Sequence, residues 1–364
     1  MEEIDLELDP NEASDLCPLF SGEQLGQLGW DRAYATVLDE APAERALAVL
    51  GHRRDAAPRS GWTATRLKAK PERAKSKTED AEACSRHGGW LVVLGSQFGH
   101  KDGPLDPRRS WMARVREDAL ADRLAGGRKP HLDVRRLRFG LHRAVNDAIA
   151  EAGIPLIGLG AHARAAYVDG TIALGARKRK RWAGAVRSQD YPINVEAAEF
   201  RVNGRLVLGL RHPVSADGDP ILVEVDNLDA MFDRGEPPAC STVWVLEGAG
   251  GAEGPRGVRA LHNRGNDEFD VVVGNLESSG KGSPLLQDLP AAGRAASAHL
   301  RFSLPLVAKG GSVTPEPARD FEGDTDRIEG IAGMNGLTLY VLDQEGQVAL
   351  RMLRTGSASV GARA

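Results

Sequence analysis

Five stretches of this chain share one skeleton: a polar residue, a short apolar run, a glycine turn, and a second alternating run. "DAEACSRHGGWLVVLGSQF" places Glu82 seven residues before Gly89. "DRIEGIAGMNGLTLYVLDQEG" places Glu329 seven residues before Gly336. "NVEAAEFRVNGRLVLGLRHPV" has Glu196 ahead of an Asn203-Gly204 turn, "GAHARAAYVDGTIALGARKRK" has His162 eight residues before Gly170, and "RGVRALHNRGNDEFDVVVGN" has Arg259 in that place. Apolar-polar alternation on both sides of an Asn-Gly, Asp-Gly or Gly-Gly pair is the signature of a β-hairpin. A weak sixth copy starts at Glu12. Repeated hairpins with variable spacing, here 34 to 80 residues between key positions, predict the blades of a β-propeller. The expectation is an all-β, six-bladed propeller over residues 31–354. Residues 1–30 are an N-terminal segment in the first or closing blade, and 355–364 are a tail.

The intervening sequence supplies outer strands. "AYATVLDE", "RALAVLGHRR" and "WTATRL" read as three strands of a first blade, "SWMARV" (110–115) as a third strand after the Glu82 hairpin. "ILVEV", "STVWVLEG", "SAHLRFSLPL" and "VALRML" play similar parts later. Between 118 and 154 the period changes. "LHRAVNDAIAEAG" carries apolar residues at Leu141, Val145, Ala148 and Ile149 and ends in glycine, which predicts one helix inserted on a face or rim of the propeller.

If the first strand of every blade lines a central channel, the key positions converge. Glu82, His162, Glu196, Arg259 and Glu329 then form an irregular ring. Three carboxylates in a partly dry channel need partners. Arg259 can satisfy one or two of them. A hard cation such as Ca²⁺ or Mg²⁺ on Glu82, Glu196 and Glu329 suits the rest, and a structural ion-pair network is the plainer reading. The ends of the second strands offer further polar groups for one face: Ser96, Gln97, Arg211, His212 and Asn275.

Composition bounds the function classes. Apolar residues make up 41% and charged residues 27% of 364, which is a globular balance, and the net charge of −4 argues against a general nucleic-acid binder. Cys17, Cys84 and Cys240 are odd in number and far apart, so a disulfide framework is not expected and a reducing compartment is. No apolar run approaches 18 residues, and the acidic start "MEEIDLELDP" lacks an apolar signal region, so membrane spans are not expected and the cytoplasm is the default. "GNLESSGKGS" fails as a phosphate loop on spacing, and nucleophile-elbow, zinc-helix and paired-cysteine motifs do not occur. One charge run stands out: Arg177, Lys178, Arg179, Lys180, Arg181, then Trp182. It reads as a solvated loop guarding an edge strand, with phosphate binding as the alternative.

The steps "VEAAEF", "GLRHPV" and "GVRAL" resemble those of an uncharacterised bacterial family, domain of unknown function 3616. The similarity covers roughly residues 78 to 354. Alanine rather than glycine follows Glu82 and Glu196, and His212 stands where that family favours glycine. The Glu-Gly-Ile step at Glu329 is also similar, more weakly, to propeller lactonases and phytase-like propellers, in which such glutamates bind a divalent cation. These resemblances imply a propeller, not an activity. The expected function is a binding or scaffold module that takes a protein or small molecule on one face. The alternatives are a metal-dependent hydrolase using the channel glutamates, and an anion or nucleic-acid binder using the basic run.

Overall fold

Two glycines in the left-handed region, Gly88 (φ 57°) and Gly89 (φ 78°), reverse the chain in two residues, and the strands on either side pair His87 with Trp90. Asn266 (φ 56°) and Asp267 (φ 59°) do the same between Gly265 and Glu268. Positive φ at both turn positions matches the right-handed twist of the strands, so these turns fix hairpin register from local sequence.

The computed structural model describes residues 2–8, 13–39, 41–71, 77–251, 254–276, 282–307, 309–320, 328–334, 336–344 and 347–354. Glu12, the glycine-lysine pair at 280–281 and the tail 355–364 lie outside them. Five sheets are built from the described strands. Sheet I runs Ala13–Pro18, Trp30–Leu38, Leu47–Arg53, Trp62–Arg66. Sheet II runs Ala81–His87, Trp90–Gly95, Trp111–Arg116, His131–Arg136, with Lys70–Pro71 parallel on its edge. Sheet III runs Asn194–Phe200, Leu206–His212, Ile221–Val225, Cys240–Leu246, with Gly311–Val313 parallel on its edge. Sheet IV runs Gly257–Gly265, Glu268–Gly274, Ala298–Ser303, Glu316–Asp320. Sheet V runs Ile328–Met334, Leu337–Gln344, Gln347–Arg354, and its fourth strand is Glu2–Glu7, paired antiparallel with Gln347–Arg354.

The first strand of each sheet packs against the first strand of the next, and that of sheet V packs against that of sheet I. The fold is mostly β and arranged as a propeller. Four apolar clusters lie between the sheets: one spans sheets V, I and II, one sheets II and III, one sheets III and IV, one sheets IV and V. The close approach of first strands selects small residues after each key position: Ala83, Ala197 and Ala260 are fully buried. At Gly330 a side chain is excluded outright, because a Cβ there would sit 2.6 Å from the carbonyl carbon of Asp15 in sheet I.

Four of the five hairpins expected from the repeat open separate sheets: 82–97, 196–211, 259–275 and 329–343. The fifth does not. Residues 161–177 are helical, as Ala161–Ala163, a π-helical turn Arg164–Asp169, and Gly170–Arg177. Their buried side chains include Ala163, Tyr167, Val168 and Thr171, a spacing of three to four that buries one helix face and cannot alternate across a strand. The remaining sheet comes from the N-terminal segment, where Ala13–Pro18 pairs with Trp30–Leu38 across the short helix Gly22–Gln27. The count of described sheets is therefore five, not six.

The helical insertion is also larger than expected. The helix Gly140–Glu151 is present and buries Leu141, Val145, Ala148 and Ile149, but 118–154 also holds the helix Glu117–Leu124 and the fourth strand of sheet II. The insertion runs on to residue 193. With Phe98, Leu105, Leu276 and residues 282–292 it forms an apolar cluster of its own around Phe98, Phe139, Tyr167, Trp182 and Leu285. No helix among the described residues is long and apolar enough to cross a membrane.

Candidate functional site

The key positions share a cause that the sequence does not display. In sheets II to V the ladder skips one residue of the first strand, between Ala81 and Ala83, Val195 and Ala197, Val258 and Ala260, and Ile328 and Gly330. Glu82, Glu196, Arg259 and Glu329 are thus β-bulge residues. A bulge turns its side chain out of the ordinary pleat, which is how a polar group enters a strand whose neighbours are buried. Sheet I has a comparable shift between Ser14 and Cys17. Asp15 lies in it, with φ 57°, and this member of the set was not foreseen. Its carboxylate accepts the backbone N–H groups of Leu16 and, across to sheet II, Cys84, each at 2.8 Å. Burial, the largest influence, raises its pKa.

The bulge residues do not form one ring of carboxylates around a single arginine. Arg259 holds Glu329 through two hydrogen bonds, Nε to Oε2 at 3.2 Å and Nη2 to Oε1, with both residues buried. Glu196 has its own partners: Asn194 Nδ2 donates at 2.7 Å and Arg211 Nη1 at 3.3 Å. Arg211 also donates to the carbonyl and side-chain oxygens of Asn275, each at 3.3 Å. Two arginines therefore neutralise two glutamates.

Glu82 is different. It is half-buried and receives no hydrogen bond or ion pair from a described residue. One oxygen each from Glu82, Asp80 and Asp39 lie within 4.8 Å of one another. Asp39 comes from sheet I, just past Trp30–Leu38, and Asp80 immediately precedes the first strand of sheet II. Asp80 is bound by Arg109 Nη1 at 2.9 Å and accepts the Ser96 hydroxyl. Burial outweighs those contacts and pushes its pKa up to about 6. Glu82 is raised well above the usual carboxylate range by burial first, then by the negative charges of Glu196, Asp39 and Asp80. Two buried acceptors, Asn194 Oδ1 two residues before Glu196 and Gln97 Oε1 beside Ser96, have no partner among the described residues. The arrangement can hold a proton or a small cation between carboxylates of two sheets.

Other expected residues fall elsewhere. His162 is exposed on the helical insertion, where Nδ1 pairs with Asp288 Oδ1 at 2.8 Å, because its segment is not a strand. His212 is buried with Nδ1 on the Pro192 carbonyl at 2.7 Å, and burial lowers its pKa to about 4. Ser96 and Gln97 serve locally: the Ser96 hydroxyl binds Asp80 and the Gln97 amide donates to the Gly95 carbonyl at 2.8 Å. Of the three glutamates expected to share a cation, only Glu82 stands in the acid group with Asp39 and Asp80. Asp39, Asp80 and Arg109 were missed. A signal for Asp80 existed: "DAE" and "NVE" both carry a polar residue two before the key glutamate. Further down the first strands the Ser85 hydroxyl donates to Glu199 Oε1 at 2.6 Å, and His262 Nδ1 lies 3.8 Å from Glu199 Oε2. Cys17, Cys84 and Cys240 are free thiols.

The sequence matches no family model and no curated protein, so the resemblance to domain of unknown function 3616 rests on its quoted segments alone. Among solved structures the chain is similar to a GH43 endo-arabinanase from Bacillus licheniformis, with 12% identity over 96% of this chain and 95% of that one and a TM-score of 0.39. It is similar to the WD40 β-propeller domain of Doa1, with 8% identity over 96% and 95% and a TM-score of 0.33. A protein of unknown function from Dyadobacter fermentans gives 9% identity over 99% and 84% and a TM-score of 0.40. At such scores these likenesses carry no argument about what this chain binds or does.

Proposed function

We propose that the chain is a five-bladed β-propeller, closed by the pairing of Glu2–Glu7 with Gln347–Arg354, and that it works as a binding module whose ligand site holds a hard divalent cation on Asp39, Asp80 and Glu82. The observation that carries this reading is the excess of negative charge at Glu82: Arg109 is a cation that acts on it, and that guanidinium is bound to Asp80. The bulge residues Glu196 and Glu329 each have an arginine, whereas Glu82 faces three other carboxylates. Oxygen ligands from two sheets suit Ca²⁺ or Mg²⁺, and a cation there would keep Glu82 ionised at neutral pH. Hydrolysis at the same place would ask in addition for a placed water and a base; binding asks for nothing beyond these groups.

The test is calorimetric titration of chelator-treated protein with CaCl₂ and MgCl₂, paired with thermal unfolding. One cation per chain should bind, and at a concentration 100 times its Kd it should stabilise the fold by about 2.7 kcal/mol. Glu82→Gln should lose that gain while Glu329→Gln keeps it. Absence of binding at millimolar cation, or equal binding by Glu82→Gln, overturns the proposal.

A further inference from the structure

The basic run is not where its inert reading needs it. A charged loop guards an edge strand from pairing, but Arg177 to Arg181 continue the helix Gly170–Arg177 and lead into the helical turn Arg181–Gly184. All five side chains are exposed. None makes an ion pair with a described carboxylate, although Arg108, Arg109, Arg114, Arg143, Arg201, Arg211 and Arg259 all do. Residues 161–189 hold seven Lys or Arg (164, 177–181 and 187) against one acid, Asp169, a local charge of +6 in a chain of net −4. The rest of the chain is therefore at −10.

The backbone under these charges is fixed. Trp182 is buried edge-on against Phe139, with ring centroids 5.1 Å apart. Gly175 lies so close beneath it that a Cβ would meet the indole at 2.8 Å. Lys178 N–H donates to the Leu174 carbonyl at 3.0 Å, Arg179 N–H to Ala176 at 3.1 Å, and Lys180 N–H to Gly175 at 2.9 Å. Five like charges are thus held within a few residues of each other, well inside a Debye length, and their mutual repulsion is not relieved by a neighbouring acid.

We propose that this turn of the helical insertion docks the phosphate backbone of a nucleic-acid duplex. A duplex presents one negative charge per ~1.7 Å of axis, a density that contiguous cations can match. Between 177 and 189 the large apolar side chains, Trp182 and Val186, are buried, so an apolar anchor for a lipid surface is missing and so is an exposed aromatic for base stacking. The contact is sequence-independent.

The test is fluorescence anisotropy of the full chain with a labelled 20-bp DNA duplex of mixed sequence, at 50 and 200 mM NaCl. If four or five phosphates are engaged, affinity should fall roughly 150- to 500-fold between the two salts. Replacing Arg177 to Arg181 together by Ser should cost at least tenfold in affinity at 50 mM NaCl with unchanged circular dichroism. The triple change at Arg177, Arg179 and Arg181, which disturbs the turn less, should flatten the salt dependence to that of two cations, roughly twelvefold over the same range. An all-Lys version should keep binding. The proposal is overturned if wild-type protein does not bind the duplex at 50 mM NaCl, or if the Ser variants bind as well as wild type. It is equally overturned if the protein binds phosphatidylserine vesicles and not the duplex.

Discussion

Arg259→Met is the substitution whose cost is set most directly by the geometry. Arg259 is 4% exposed and Glu329 8%, and both hydrogen bonds described at the Glu329 carboxylate come from Arg259. Methionine fills much of the arginine stem but leaves a buried carboxylate without its donor. Breaking a buried pair in this way costs about 3–5 kcal/mol. At about 1.3 °C per kcal/mol for a chain of this length, the midpoint of thermal unfolding should fall by roughly 4–7 °C at pH 7. Two comparisons isolate the cause. Glu196→Gln takes the counter-charge from buried Arg211 but keeps an acceptor for Asn194 and removes a charge that burdens Glu82, so its loss should be smaller than that of Arg259→Met. Arg259→Met with Glu329→Leu replaces the whole pair by apolar groups, a change that is often neutral or better, so it should recover most of the loss. Scanning calorimetry of the three variants is the assay. A loss below about 1 kcal/mol for Arg259→Met, with no recovery in the double variant, would show that the pair is screened by solvent and that the bulge residues do not face a buried channel.

Stability should also fall as pH rises near the acid cluster. The folded pKa of Asp80 lies above its ordinary value of 3.8, at about 6, so the folded state binds its proton more tightly. The stabilisation is full below about pH 4 and is lost as pH climbs through 6, by up to roughly 3 kcal/mol. Asp80→Asn should flatten that part of a chemical-denaturation profile measured without divalent cations, and an unchanged slope would refute the assignment. Gly330→Ala should destabilise by about 1–3 kcal/mol, because its Cβ would press on the backbone of Asp15; a neutral result in urea denaturation would show that the first strands of sheets V and I are not in contact.

Much of the architecture is local and was therefore legible. Gly88-Gly89 and Asn203-Gly204 set their turns within a few residues, and the alternation beside them decides which face is buried, so the hairpins at 82–97 and 196–211 could be read from the chain alone. The same chemistry misled at Asp169-Gly170. There the alanines of "AHARAAYVDGTIALGA" and the spacing of Ala163, Tyr167, Val168 and Thr171 fit a helix, and burial of that face against Phe98 and Trp182 overrides the turn signal. The recurring polar position was visible in sequence, but its neighbours were not. Whether Glu82 meets Glu196, Asp39 or Arg109 depends on how separate sheets pack and on a one-residue bulge in each first strand, which shifts side-chain direction without leaving a mark in composition. Pairing of Arg259 with Glu329, 70 residues apart, and of Arg211 with Glu196 are likewise choices among several acids that the chain offers. Ion pairs and hydrogen bonds need approach within about 4 Å, so they are fixed by contacts between sheets, whereas turn and strand preference is fixed by bonds along the chain.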